Sequence, residues 1–445
     1  MNLNMTDPTP TVPSSIFRNR WMQLIAGIIG MVSVANFQYS WTLFVTPLHN
    51  HHGWSKAEIQ SSLFIFFISA QTWLVPLEGY IADRFGPRKL LIGGGILAGL
   101  GWVMIAHTSS LMVVNLAQVF AGCGSGIVYG LSMGSALKWF PDRRGLASGL
   151  TAAAFGAGSA ATVIPIRWTI QQHGYEAALI WFGLVQGLII VLAGLIVRFP
   201  RAGEVPAPIQ PKVLQTRRDY TPQEMLRAPA FWLLYVMMVL GAIPGLLMIG
   251  VIASLAEDFA IAEIPIYLLG YEIAAALSLA MILDRIMGGL TRPVFGWISD
   301  HIGRELAIFL AFALEGSALL LLILYIHEPM MFVLMSGIAF FGWGAVFSLF
   351  PAVSGDMFGR QFATANYGWL YTAKGVSALV VAGLTDLHAH SSSWLGSTTK
   401  AWTLVFAIMI ALDAVAALLA LLVLRPLRQR AAAVEVLPEP VAMKA

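Results

Sequence analysis

Apolar positions along this 445-residue chain do not recur at the spacing of a surface helix or a half-buried strand; they run on in long blocks that short polar turns interrupt. Blocks of about 20 apolar residues match helices crossing a ~30 Å hydrocarbon layer, since each helical residue adds about 1.5 Å. The predicted spans are Trp21 to Val45, Ile59 to Ala82, Leu90 to His107, Leu111 to Trp139, Leu146 to Ile170, Ala177 to Val197, Phe231 to Leu255, Tyr267 to Ser299, Leu306 to Ile326, Met330 to Phe358, Tyr367 to His388 and Trp402 to Leu424. The longest hydrophilic stretch, 199–229, carries Pro200, Pro206, Pro208, Pro211 and Pro222 and the cations Arg201, Lys212, Arg217 and Arg218, and six spans lie on either side of it. The expected fold is an all-α membrane protein with twelve transmembrane helices. It divides into a disordered tail (1–20), a six-helix bundle (21–198), a linker (199–229), a second six-helix bundle (230–424) and a second tail (425–445).

Composition agrees with that pattern and adds an orientation. Hydrophobic residues make up 58% of the chain, charged residues 11%, and mean hydropathy is +0.76, which excludes a soluble protein of this length. Of the 26 Lys and Arg, 20 fall on the side of the termini, in loops and tails or, for Lys138, at the very end of a span, 2 (Lys56, Lys400) on the opposite side, and 4 (Arg167, Arg285, Arg292, Lys374) deeper within spans. The positive-inside rule then places both termini in the cytoplasm, with the chain multi-pass in the cell (inner or plasma) membrane. The pI near 9.0 follows from this topology, with the surplus charge facing anionic lipid, and implies no nucleic-acid partner. A lone Cys123 excludes an internal disulfide and a cysteine metal site. The N-terminal apolar run is too long for a signal peptide and is expected to be retained as the first helix.

One motif occurs twice. Gly79-x-x-x-Asp83-x-x-Gly86 and Gly296-x-x-x-Asp300-x-x-Gly303 share their spacing, lie about half the chain apart, and are trailed by Arg84, Arg88 and Lys89 in the first copy and Arg304 in the second. A duplicated membrane bundle points to a transporter whose two halves rock around a central site. The residues Gly79, Asp83, Arg84, Gly86, Arg88, Asp300 and Arg304, with Glu78, are expected to form a conformational gate of ion pairs and helix ends. Gly122-x-Gly124-x-Gly126 has no strand before it and lies at membrane depth, so it reads as close helix packing, not a nucleotide loop.

Ionisable groups in hydrocarbon cost about 2.5 to 3.5 kcal/mol each on insertion scales, so each is a functional candidate. Arg292 lies eight residues before Asp300, and Lys374 eight after Asn366 in a helix running the opposite way, so both are roughly 12 Å deep and can converge. Two cations facing one cavity attract an anion, and the guanidinium fork matches a carboxylate. The opposing reading pairs them with acids such as Glu272, Asp284 or Asp413. Arg285 is expected to pair with its neighbour Asp284, and Arg167 to snorkel at the outer end of its span. Gln38, Tyr39, Tyr129, Trp343, Phe347 and Tyr371 are candidates to line the cavity, with hydroxyl and indole donors orienting carboxylate oxygens. His49, His51 and His52 lack metal-ligand spacing and read as solvated loop histidines; no metal or cofactor is expected.

The residues carry a family resemblance. Gly79 to Lys89 resembles the signature loop of the major facilitator superfamily, and Gly296 to Arg304 its second copy. More narrowly, 38–43, 126–130, 139–149, Arg292-Pro293, Asn366-Tyr367-Gly368 and Ala373-Lys374 are similar to the oxalate:formate antiporter family, a likeness spanning essentially all twelve helices. The resemblance implies exchange of oxalate for formate, with the family's essential arginine at Arg292, its essential lysine at Lys374, and cavity positions at Gln38, Tyr39, Tyr129 and Trp343. Phe155, Phe347 and Tyr371 depart from the family pattern of Tyr, Tyr and Trp, and Asp284 and Arg285 replace uncharged polar residues. The alternative expectation is a proton-coupled carrier of monocarboxylates such as formate, lactate or pyruvate, with Asp284 or Glu272 carrying the proton. Nothing resembles a nucleophile with its base, so an enzyme is not expected, and the partners are small organic anions and lipid around a monomer.

Overall fold

Polar interruptions become turns and the apolar blocks between them become helices, because backbone N–H and C=O groups in hydrocarbon must be satisfied within the segment. The computed structural model describes residues 19–201, 203–205, 215, 216, 218–268 and 271–429; the outermost parts of both expected tails and part of the expected linker lie outside them. The first half of the chain contains α1 (Arg20–Tyr39), α2 (Thr42–His52), α3 (Lys56–Ser61), a π-helical turn (Ser62–Phe67), α4 (Ile68–Trp73), α5 (Val75–Phe85), α6 (Arg88–Ala106), α7 (Leu111–Trp139) and α8 (Arg144–Ile196). After α9 (Pro222–Arg227), the second half contains α10 (Pro229–Asp258), the strands β1 (Pro265–Leu268) and β2 (Tyr271–Ala275), α11 (Ala276–Ile302), α12 (Arg304–Leu324), α13 (Pro329–Trp343), α14 (Val346–Phe358), α15 (Ala363–Trp394) and α16 (Thr398–Leu419), the last continued by π-helical residues Ala420–Leu424.

Nine helical runs among the described residues are long and apolar enough to cross a membrane. Residues 144–164 of α8, α11 and α15 fall outside that set. These are the segments whose glycine, polar and charged content lowers their hydropathy, and α11 and α15 carry Arg292 and Lys374. They are also where the halves meet: α8 packs on α11, and α15 on α5.

Several predicted boundaries move. Gly174 (φ +88°, ψ 165°) breaks α8 into two arms, close to the predicted gap between the fifth and sixth spans. The first predicted span is interrupted at Ser40-Trp41, so α1 ends on Tyr39. The predicted span from Tyr267 starts too early, because β1 and β2 pair as an antiparallel hairpin and α11 begins only at Ala276. Hydropathy alone cannot distinguish a short apolar hairpin from the start of a helix. Glu272 lies exposed on β2, before α11 begins, and so is not a carboxyl of that membrane helix.

The expected linker is partly ordered. Thr221 and Glu224 form a capping box on α9, and the Thr221 backbone N–H and hydroxyl hold the Glu224 carboxyl below its ordinary range. Asp219 accepts from Arg360 N (2.6 Å) and Gln361 N (2.9 Å), and Asn366 Nδ2 donates to Tyr220 O (3.0 Å), tying this segment to the α14–α15 turn.

Each motif copy closes a helix in the same way. Gly86 (φ +86°) ends α5 and Gly303 (φ +96°) ends α11, a conformation that side chains resist. A Cβ on Gly79 would stand 2.8 Å from Thr364 O and 2.9 Å from Ala365 Cα, so only glycine lets α5 meet α15 this closely. Gly79→Val is therefore expected to separate these helices at this end. Thiol labelling of a cysteine placed at Thr364 should rise in that variant; unchanged labelling would show that the contact is not required.

Candidate functional site

Both motif aspartates do the same thing for the opposite half of the chain. Asp83, at the end of α5, pairs with Lys138 Nζ (2.7 Å) and accepts from Ala365 N (3.0 Å) in the first turn of α15. Asp300, at the end of α11, accepts from Gly145 N (3.2 Å) and Leu146 N (3.1 Å) in the first turn of α8. A carboxylate at a helix N-terminus is favoured by the helix dipole and satisfies donors that have no intrahelical partner. Lys138 also donates to Gln361 O (2.9 Å), adding a second tie between the halves.

The second copy extends into a buried network. Arg304, 1% exposed, pairs with Asp300 (2.6 Å) and Asp356 Oδ2 (2.8 Å) and donates to Ser299 Oγ (2.6 Å); Arg144 donates to Asp356 Oδ1 (2.9 Å) and Gly355 O (2.7 Å). Asp356, Arg144 and Lys138 had no place in the predicted gate. Arg84 and Arg88, which did, are exposed and form no ion pair with a described residue; Arg84 lies over the Phe85 ring instead. Their charge suits a basic surface turn.

Nearer the middle of the bundle, Arg292 and Lys374 converge as their depths predicted. Both line one cavity, with Tyr39, Tyr129, Phe155, Trp343, Phe347 and Tyr371 around them. Arg292 is 2% exposed, Lys374 3%, and no carboxylate among the described residues comes within ion-pair distance of either. Neutral oxygens hold them instead. Lys374 Nζ donates to Gln71 Oε1 (2.9 Å), Tyr371 Oη (3.2 Å) and Gln38 Oε1 (3.4 Å), and Arg292 Nη1 donates to Ala152 O while its Nε has no partner. Gln71 is itself oriented by its Nε2 donating to Ser125 Oγ (2.7 Å). As a neutral amide in an apolar run, it gave no sequence signal.

Aromatic rings form the rest of the wall. Tyr129 stacks on Tyr371 at 4.5 Å and meets Phe155 edge-on at 5.2 Å; Phe155 also meets Tyr39 at 5.3 Å, and Trp343 meets Phe347 at 5.1 Å. The Arg292 guanidinium stands 5.3 Å from the Phe347 ring centre, and Lys374 Nζ 5.4 Å from that of Tyr371, so both cations lie against π-faces. The enclosed space is about 10 Å³, scarcely one water. Trp343 does not offer its indole N–H to the cavity, because that group donates to Ala242 O at 3.2 Å.

The remaining candidates lie elsewhere. Arg285 does not pair with Asp284. Neighbouring residues on a helix diverge, and its guanidinium sits over the Tyr39 ring of the other half at 5.1 Å. Asp284 is buried, not among the cavity-lining residues, and its Oδ1 has no partner. Arg167 is exposed, as snorkelling requires. The histidines are not simply solvated: His52 stacks on Trp54 at 4.2 Å and bonds Tyr175 Oη (3.0 Å), and partial burial, then the charge of His51, pushes its imidazole below its ordinary value. No metal-binding group of His, Cys, Asp or Glu is found among the described residues.

Comparison with known proteins identifies the family. The Major Facilitator Superfamily model matches residues 26–382. The oxalate:formate antiporter of Oxalobacter formigenes is 32% identical over 391 residues, covering 88% of this chain and 90% of that protein. Human monocarboxylate transporter 11 is 28% identical over 142 residues, 32% of this chain and 30% of that one. Among solved structures, the human organic anion transporter MFSD10 (TETRAN) superposes with a TM-score of 0.66 over 89% of this chain and 99% of that chain at 14% identity, which shows a shared fold. With a family model and a full-length relative both aligned along most of its length, this multi-pass membrane chain belongs to the major facilitator superfamily and, within it, to the oxalate:formate antiporter family.

Proposed function

We propose that the chain is a secondary transporter, not an enzyme, that exchanges small carboxylates across the cell membrane by alternating access, with oxalate against formate as its exchange pair. It does so with twelve membrane helices in two six-helix halves, both termini cytoplasmic, acting as a monomer in lipid. The observation that carries this reading is the pair of buried cations, Arg292 and Lys374, held in one aromatic cavity by neutral oxygens alone. The relationship to an oxalate:formate antiporter supports the substrate class.

The mechanism follows from charge. A dianion neutralises both cations, so the loaded carrier can rock; the empty one retains two uncompensated charges, which oppose movement through a low-dielectric passage. Exchange is then favoured over net flux. Gln71 and Gln38 hold the Lys374 ammonium until a carboxylate takes their place, and Arg292 offers its unpartnered Nε to the other carboxylate. Because the cavity is nearly filled, entry requires the Tyr129–Tyr371 stack or the Trp343–Phe347 pair to part. Phe347 and Phe155 lack hydroxyl donors, so rings and not hydrogen bonds bound the ligand there. At the motif-bearing end, the Asp83 and Asp300 contacts lock the halves together on the cytoplasmic side.

A second reading is a proton-coupled monocarboxylate carrier, favoured by the buried Asp284 with its free Oδ1 and by the partial likeness to a monocarboxylate transporter. Proteoliposomes distinguish the two. Labelled oxalate should accumulate only when internal oxalate or formate is present, and a panel of unlabelled carboxylates should rank by competition. Uptake driven by a pH gradient with no internal anion would replace exchange with proton coupling.

A further inference from the structure

A second intramembrane ionisable cluster lies away from the cavity. Glu315 on α12 is 1% exposed and Asp413 on α16 is 0% exposed, and these two helices pack side by side. Glu315 is eleven residues from the start of α12 and Asp413 twelve residues from Arg425, in antiparallel helices, so both carboxyls sit near the middle of the bundle. Asp413 faces α12 beside Glu315: its Oδ2 lies 3.7 Å from where a Cβ on Gly316 would stand, and the two carboxyls are within electrostatic reach of each other. Among the described residues, Glu315 Oε2 and both Asp413 oxygens have no hydrogen-bond partner.

No cation among the described residues answers them. α13 and α10 contribute no charged residue at this depth, and Glu257 and Asp258 close the far end of α10, where Asp258 accepts from Trp402 Nε1 (2.7 Å). On α14, Asp356 is engaged by Arg144 and Arg304. On α11, Asp284 faces Ser336, Arg285 lies over Tyr39 and Arg292 reaches Ala152 O. On α15, Lys374 is held by Gln71 and Gln38. The remaining charges of α12 and α16 and the segment after it lie at their ends: Arg304 and Glu305, with Arg428 on Glu305 (2.7 Å), and Lys400 and Arg425. Two neighbouring carboxylates in a low-dielectric interior cannot both ionise without a counter-ion.

We propose that Glu315 and Asp413 together bind a proton at a site separate from the anion cavity, and that its occupancy sets the position of the α13–α14 break beside Trp343. The link is packing. A Cβ on Gly342 would stand 2.7 Å from Glu315 Cβ and 2.8 Å from Ala311 O, so α12 and α13 touch one residue before Trp343, and the helix breaks immediately after it. Ionising Glu315 in that contact moves charge against the backbone that carries a cavity ring.

The proton site stands on its own geometry; only its effect on exchange rests on the transport reading. The test uses the full-length protein in lipid. At neutral pH, infrared spectra should contain a protonated-carboxyl C=O band that shifts in D2O and is lost in part in Glu315→Gln and in Asp413→Asn. Both variants mimic the protonated group and should fold with unchanged Tm. Identical spectra in wild type and both variants, or failure of both neutral isosteres to fold, overturns the site. In proteoliposomes, oxalate exchange by the wild type should change severalfold with pH and lose that response in either variant; a wild-type rate indifferent to pH overturns the coupling. A carboxyl band without any exchange would leave the proton site standing and sink the transport reading alone.

Discussion

Replacing Lys374 with glutamine should abolish oxalate exchange without unfolding the protein. The ammonium is buried, is held by three neutral oxygens, and has no carboxylate partner among the described residues. A charge-assisted hydrogen bond to a bound carboxylate contributes about 1.5 to 3 kcal/mol, so its loss weakens anion binding about 10- to 150-fold. Loss of rocking under an uncompensated dianion multiplies that effect. Stability should move the other way: removing a buried, unpaired charge relieves its desolvation, and the Gln38, Gln71 and Tyr371 groups can bond to the new amide. Lys374→Gln should therefore hold or raise its Tm while counterflow falls to background. A variant that loses stability and keeps its exchange would identify Lys374 as a structural residue held by its neutral partners and remove it from the site.

Much of this arrangement was legible in the sequence because membrane chemistry leaves few options. A charge in hydrocarbon must face a polar interior, so Arg292 and Lys374 could be placed at a common depth by counting residues, and the duplicated turn marked where Asp83 and Asp300 tie the halves together. What was missed has a common cause. Gln71 is neutral, and a polar amide in a membrane helix reads the same whether it packs or orients a lysine. Asp356 ends a predicted span, and its partners Arg144 and Arg304 stand 212 and 52 residues away, a pairing that no local pattern encodes. Arg84 and Arg88 stand next to the motif in sequence, yet the fold turns them outward and recruits Lys138 from α7. Glu272 fell on the wrong side of a boundary because an apolar hairpin has the hydropathy of a helix. Trp343 lines the cavity but spends its N–H on Ala242, a choice fixed by tertiary contact.

The gate makes the second large prediction. Asp356 is fully buried and neutralises Arg144 from the first half and Arg304 from the second, and Arg304 in turn holds Asp300 against the first turn of α8. Asp356→Asn leaves Arg144 with no carboxylate partner among the described residues and Arg304 with Asp300 alone. Breaking a buried pair by removing one partner typically destabilises by about 3 to 5 kcal/mol, because the remaining charge stays desolvated. The halves can escape that penalty by parting at this end and letting water reach Arg144 and Arg304, so the loss should appear as a shift toward the cytoplasm-open state as well as a lower Tm. With Cys123 replaced by serine, a cysteine at Ala352, buried behind Asp356 on α14, should be protected in the parent and react with a membrane-impermeant thiol reagent from the cytoplasmic side in the Asp356→Asn variant. Exchange should fall as the carrier dwells in one state. If both Tm and labelling match the parent, the network is ornamental and Asp83 with Lys138 must carry the closure alone.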